Sequence, residues 1–143
     1  SDELDTKKMI ECAKNASILE EIENLEKGFD TLIGERGIQL SGGQRQRLSI
    51  ARTLYSDVDT YIFDDCLSAV DIKKEKEILD NIIHKTKGKT TIIISHRISS
   101  FKNTNKIIVL ENGQVKEIGD HKKLISSQGF YSKMFQLQLK NIN

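Results

Sequence analysis

Three short stretches of the chain carry residues whose types and spacing can do chemistry. Ser41-Gly42-Gly43-Gln44 has the Ser-x-x-Gln spacing of a capping box. It opens an amphipathic run with Leu48, Ala51 and Tyr55 on one stripe and Ile50 and Leu54 beside it, so Ser41 is expected to be the N-cap of a helix. A glycine-lined helix N-terminus offers unpaired N–H groups and the positive end of the dipole, which together suit a phosphate. A capped helix after a loop has the same pattern, and these four residues alone leave both readings open. Asp64-Asp65 closes an apolar run. Paired acids at a strand end suit Mg²⁺, a hard cation that takes oxygen ligands and keeps several waters. In phosphoryl transfer one such acid commonly holds the metal while a second polar group orients the attacking water. The pair also serves simply to end a strand and cap a turn. His96 directly follows a β-branched run, where a histidine is either structural or a phosphate sensor.

Elements must position these residues. Residues 4–16 read as a helix with Met9, Cys12, Ala13 and Ala16 on one face. Ser17 stands where it would cap a second helix carrying Ile18, Leu19, Ile22 and Leu25, with Gly28 ending it. Residues 29–37 are a glycine-punctuated polar loop, and the Ser41 helix runs to about residue 56. Tyr61-Ile62-Phe63 reads as a buried strand and residues 66–70 as a turn. Asp71 is a good N-cap for a helix with Ile72, Leu79, Ile82 and Ile83 inward, stopped by Gly88. Residues 90–94 form a second strand, which completes a β-helix-β unit with parallel strands. Asp64, Asp65 and His96 are then expected on one sheet edge, where ligands of open α/β sheets bind. Asn112-Gly113 between two apolar runs signals a hairpin. Asp120 caps a short helix through Ile125, and a last helix after Gly129 places Phe130, Met134 and Leu137 on one side, with Tyr131 and Phe135 next to them. That aromatic stripe reads as core packing.

Composition narrows the classes. The 143 residues suffice for one domain with a real core. Their 22 basic and 21 acidic residues argue against a nucleic-acid binder driven by bulk charge. No apolar run approaches the ~20 residues of a membrane span, and no signal peptide is visible. Cys12 and Cys66 read as reduced thiols of a cytosolic protein. The start at Ser1 rather than Met suggests a chain cut from a longer one.

The octamer Leu40-Ser41-Gly42-Gly43-Gln44-Arg45-Gln46-Arg47 resembles the signature motif of ATP-binding-cassette (ABC) proteins. Residues 61–64 resemble the Walker-B strand, Ser68-Ala69-Val70-Asp71 the D-loop, and His96 the switch histidine. Gly34-Glu35-Arg36-Gly37 is similar to the exporter X-loop segment, which faces the coupling helices of the transmembrane part. The tail from Ile108 to His121 also follows exporter nucleotide-binding domains, so the resemblance covers essentially the whole chain. It implies an α/β fold: a helical subdomain (residues 1–56), then the C-terminal part of a RecA-like, P-loop-NTPase parallel-sheet core (residues 57–143). In this family two nucleotide-binding domains close head-to-tail around two ATP molecules. By that resemblance Ser41, Gly42, Gly43 and Gln44 face the γ-phosphate of ATP held by the partner, and Asp64 holds Mg²⁺ through water. Asp65 takes the catalytic position, Asp71 reaches across the dimer, and His96 reads the γ-phosphate. The implied partners are a second nucleotide-binding domain, identical or not, and the transmembrane domains, at the cytoplasmic face of the plasma membrane.

Two departures qualify the resemblance. A P-loop needs Gly-x-x-x-x-Gly-Lys-Ser/Thr between a strand and a helix. Gly37 to Gly43 lacks the lysine, and Gly88-Lys89-Thr90 lacks the first glycine and runs into a strand. The adenine-stacking aromatic and the Q-loop belong before residue 1. The chain therefore reads as an incomplete domain that supplies the signature half of an ATP site, does not hydrolyse ATP alone, and self-associates through an exposed sheet edge. The second departure is Asp65, where the family usually has glutamate; this resembles the weaker half of asymmetric exporters. The rival readings are an SMC-type DNA-maintenance ATPase, disfavoured because residues 1–39 show no sustained heptads, a truncated non-enzymatic adaptor, and a soluble import ATPase. The transported substrate leaves no trace in these residues.

Overall fold

The computed structural model describes residues 5–140, in two compact units, Ser1–Ile94 and Ser95–Asn143. The first unit begins with α1 (Thr6–Asn15), whose N-cap Asp5 accepts a hydrogen bond from the Lys8 N–H. The expected start at residue 4 lies outside the described residues. Cys12, Ala13 and Ala16 are buried along the predicted face. Ser17 does not cap the next helix. It sits in the left-handed region (φ 51°) as the chain leaves α1, and its hydroxyl donates to Glu77 at 2.9 Å. Helix α2 (Leu19–Glu23) starts without a side-chain cap and ends well before Gly28, which opens a short 3-10 turn (Gly28–Asp30). Helix α3 (Gly42–Tyr55) follows with Ile50, Ala51 and Leu54 buried.

Strand β1 (Thr60–Asp64) and strand β2 (Thr90–Ile94) pair in parallel, Thr60 against Thr90 through Asp64 against Ile94. Helix α4 (Ile72–Lys85) connects them, as the β-helix-β pattern requires. β1 is buried on one face only: Tyr61 and Phe63 point into the core while Ile62 is 59% exposed. The strand expected to be buried is thus half-buried, because side chains alternate and only one face is covered here. The inward face of α4 is likewise rotated from the expected one. Glu75, Ile78, Leu79 and Ile82 are buried at i, i+3, i+4 and i+7, whereas Ile72, in the first turn, is exposed. One apolar cluster gathers α1, α3, β1 and α4.

The second unit contains a 3-10 turn (Ile98–Phe101), the antiparallel hairpin β3 (Ile107–Glu111) and β4 (Gln114–Gly119), α5 (His121–Ser126) and α6 (Phe130–Lys140). Asn112 and Gly113 both have positive φ, 51° and 75°, as a two-residue primed turn demands. Asp120 caps α5 through the Lys123 N–H. The stripe expected on α6 turns out displaced. Tyr131 is buried while Phe130 and Leu137 are 38% and 55% exposed. The Glu117 carboxylate accepts from the Tyr131 N–H at 2.7 Å, which sets the phase of the helix, and the His121 ring meets Tyr131 and Phe135 edge-on.

Candidate functional site

The N-terminus of α3 is built as its sequence predicts. Ser41 Oγ accepts from the Gln44 N–H at 3.2 Å, and Gln44 Oε1 accepts from the Ser41 N–H at 2.8 Å, a reciprocal capping box. The Arg45 N–H bonds to the Ser41 carbonyl. That leaves the amides of Gly42 and Gly43 as the open donors of the first turn. The other end of the Gln44 amide donates to Glu21 on α2 at 2.9 Å, so its side chain braces the helix from behind. Glu21 also accepts from the buried Arg47 at 2.6 Å, and Arg47 donates to the Ser17 carbonyl. Burial raises the pKa of Glu21, but the hydrogen bonds from Arg47 and Gln44 and the charges of Arg47 and Lys74 outweigh it and hold the carboxyl below its usual value.

Asp64 and Asp65 are exposed at the carboxyl end of β1. The Asp65 N–H donates to the Ile94 carbonyl at 2.9 Å, which keeps the ends of the two strands level. Asp65 itself adopts φ 44°, a conformation in which Asp is tolerated better than most residues. The turn it opens lies against α3. A Cβ on Gly43 would stand 2.8 Å from the Ala69 carbonyl oxygen, so only glycine fits there without a shift. Asp71 caps α4, accepting from the Lys74 N–H at 3.0 Å, and that bond is the main reason its pKa is lowered. Helix N-terminus, Asp64-Asp65 and Asp71 thus lie in one unit, joined by the 65–71 segment. Burial, followed by the nearby carboxylates, pushes the Cys66 thiol up to about 11, which disfavours the thiolate.

His96 lies two residues beyond β2, in the second unit, and is exposed. Its carbonyl accepts from Gln138 Nε2 at 2.8 Å, and Gln138 Oε1 accepts from the Ile98 N–H at 2.8 Å. Glu21, Gln46, Arg47 and Gln138 were not legible as site-building residues. For Gln46 a signal existed: it falls three residues after Gly43, on the same helix face. Among the described residues no helix is long and apolar enough to cross a membrane. Among the described residues no group of three His, Cys, Asp or Glu side chains stands together to hold a metal ion. A donor set of one or two carboxylates fits Mg²⁺ brought in with phosphates rather than a dedicated protein cage.

A parallel strand pair whose first strand ends in Asp64 and Asp65, in the same unit as a glycine-started and capped helix, is the arrangement that the resemblance to ABC nucleotide-binding domains implies. The comparisons agree. Residues 2–68 match the family model described as ABC transporter. An ATP-dependent lipid A-core flippase of Hahella chejuensis is 45% identical over 128 residues, covering 90% of this chain and 22% of that protein. A Staphylococcus aureus protein with a provisional multidrug-export ATP-binding/permease name is 42% identical over 130 residues, 91% of this chain and 22% of its own length. The solved structure of a bacterial Atm1-family ABC exporter with ATP bound superposes with a TM-score of 0.88 at 37% identity, over 97% of this chain and 24% of that one. The chain belongs to the ABC transporter family and spans about a fifth of the length of the curated relatives it matches.

Proposed function

We propose that this chain is part of the ATPase engine of an ABC exporter, and that it supplies the signature half of an ATP site shared with a second nucleotide-binding domain. The observation that carries this reading is the pair of open glycine amides at the capped start of α3, beside the turn that bears Asp65. In the closed pair Ser41, Gly42, Gly43 and Gln44 face the γ-phosphate of ATP gripped by the partner. At the site formed by this chain's own strand ends, Mg²⁺ bound with nucleotide would neutralise charge on the phosphate oxygens. Asp64 is the residue of this chain that holds it. Asp65 orients the attacking water, Asp71 reaches towards the partner, and His96 senses the γ-phosphate. Residues 1–56 form the helical subdomain and residues 57–143 part of the core. The engine works at the cytoplasmic face of the plasma membrane, docked on transmembrane domains. The loop around Gly34–Gly37 faces those domains.

The Glu21 carboxylate is engaged by the Gln44 amide and by Arg47. Alone, the chain has no lysine-bearing phosphate loop and is expected to give no heat on calorimetric titration with Mg-ATP. Tight stoichiometric binding would overturn the half-site reading and direct attention to Gly37–Gly43. In the full-length protein Asp65→Glu is expected to raise hydrolysis at the site whose attacking water Asp65 orients, because ~1 Å of misplacement can cost about a hundredfold in rate. No gain in single-site turnover would remove the assignment to a weakened half.

A further inference from the structure

The side-chain amide of Gln46 is engaged on both sides by a single turn. Its Nε2 donates to the Asp65 carbonyl at 3.3 Å and to Ser68 Oγ at 2.8 Å, and its Oε1 accepts from the Ala69 N–H at 2.9 Å. Ser68 Oγ in turn donates to the same Asp65 carbonyl at 3.2 Å. The residue so held is in the left-handed region, which costs free energy and persists only where the surroundings impose it. One helical turn before Gln46, Gly43 lies so close to the Ala69 carbonyl that a Cβ there would stand 2.8 Å from its oxygen. The start of α3 and the turn bearing Asp65 are therefore docked at two successive levels, backbone to backbone at Gly43 and amide to backbone at Gln46.

We propose that Gln46 is a positioning residue for hydrolysis: it locks the Asp65 turn to the phosphate-facing start of α3, so that the two present themselves as one body. Gln46 is aimed at the turn rather than at the open end of the helix, and it acts on nucleotide only through Asp65. The proposal rests on the ATPase reading above. It separates rate from affinity, because the Gly42 and Gly43 amides stay in place when the amide of Gln46 is removed.

The test uses the full-length transporter. Gln46→Ala is expected to lower kcat about tenfold with KM for ATP held within about twofold. Gln46→Glu, which keeps an acceptor for Ala69 but sets a carboxylate against the Asp65 carbonyl, is expected not to rescue it. Ser68→Ala added to Gln46→Ala is expected to lower kcat no further, since both remove one shared contact. The Ala69 amide is expected to exchange about tenfold faster in Gln46→Ala. Unchanged kcat, or a raised KM at unchanged kcat, overturns the positioning role. If the unsubstituted protein turns over no ATP, the ATPase reading fails and this role fails with it, while unchanged exchange at Ala69 overturns the clamp itself whatever the activity.

Discussion

The segment after β1 and the segment after β2 solve the same problem with the same group. Each carries a residue assigned to the chemistry, Asp65 in one and His96 in the other, and each is gripped by both ends of a glutamine side-chain amide. Gln46 reaches Asp65, Ser68 and Ala69 from α3, and Gln138 reaches His96 and Ile98 from α6. The difference lies in what the gripping helix does elsewhere. α3 also carries the glycine amides proposed to face phosphate, so its grip ties the Asp65 turn to them within the same unit. α6 grips the His96 segment within the second unit. A neutral amide suits both places because it offers donor and acceptor at once and carries no charge that a triphosphate would feel.

The sharpest way to break this comparison is at Gly43. In Gly43→Ala the new methyl group would meet the Ala69 carbonyl oxygen at 2.8 Å, against backbone on both sides. The turn must move by several tenths of an ångström, and a fall of about a hundredfold in turnover is expected, with a lower melting temperature. Turnover and thermal melting of the full-length protein check it. A variant with unchanged turnover would show that the close approach of α3 and the turn has no bearing on hydrolysis. At Gln138 the grip is by side-chain hydrogen bonds to His96 and Ile98. Gln138→Ala is therefore expected to cost only a few-fold in turnover, from a looser His96 segment. Equal losses in the Gln138 and Gln46 variants would erase the distinction drawn between the two regions.

What the sequence made legible follows from range. The caps at Ser41, Asp71 and Asp120 are contacts between a residue and the third residue after it, and the parallel pairing of β1 and β2 follows from one intervening helix. The Asn112-Gly113 turn is equally local. Ser17 and the α6 stripe were misread because distant partners decide them: Glu77 takes the Ser17 hydroxyl, and Glu117 fixes the phase of Tyr131. The partners of the clamps were hidden for the same reason, since 19 residues separate Gln46 from Asp65 and 42 separate Gln138 from His96. A polar residue on a helix reads as solvated until the loop that needs it is folded against it. Candidate site residues were legible one by one from their types, whereas the arrangement that positions them was not.

The smallest expected effect concerns acid. The amide grips do not titrate, but the frameworks around them do, in different windows. In the second unit His121 is held neutral: burial first, then the Lys102 charge, lower its pKa below 6.5, with Asp120 opposing. Its Nδ1 lies 2.9 Å from the Tyr131 hydroxyl. A histidine with a depressed folded pKa contributes stability that is whole above 6.5 and is lost as pH falls through the folded value, because the unfolded chain takes the proton first. In the first unit Glu21 and Asp71 are depressed below 4.5 and 3.8 respectively, so their contribution is whole above those values and is lost only below them. Lowering the pH is therefore expected to loosen β3, β4 and α6 before α1 and α3. Amide exchange corrected for its intrinsic pH dependence, run between pH 7.5 and about 4, reads the order directly. His121→Phe, which cannot take the proton, is expected to remove the early loss in the second unit and leave the acid behaviour of the first unchanged. Simultaneous loosening of both units in the unsubstituted protein would mean that their stabilities are coupled, and the two regions could then no longer be treated as separately anchored.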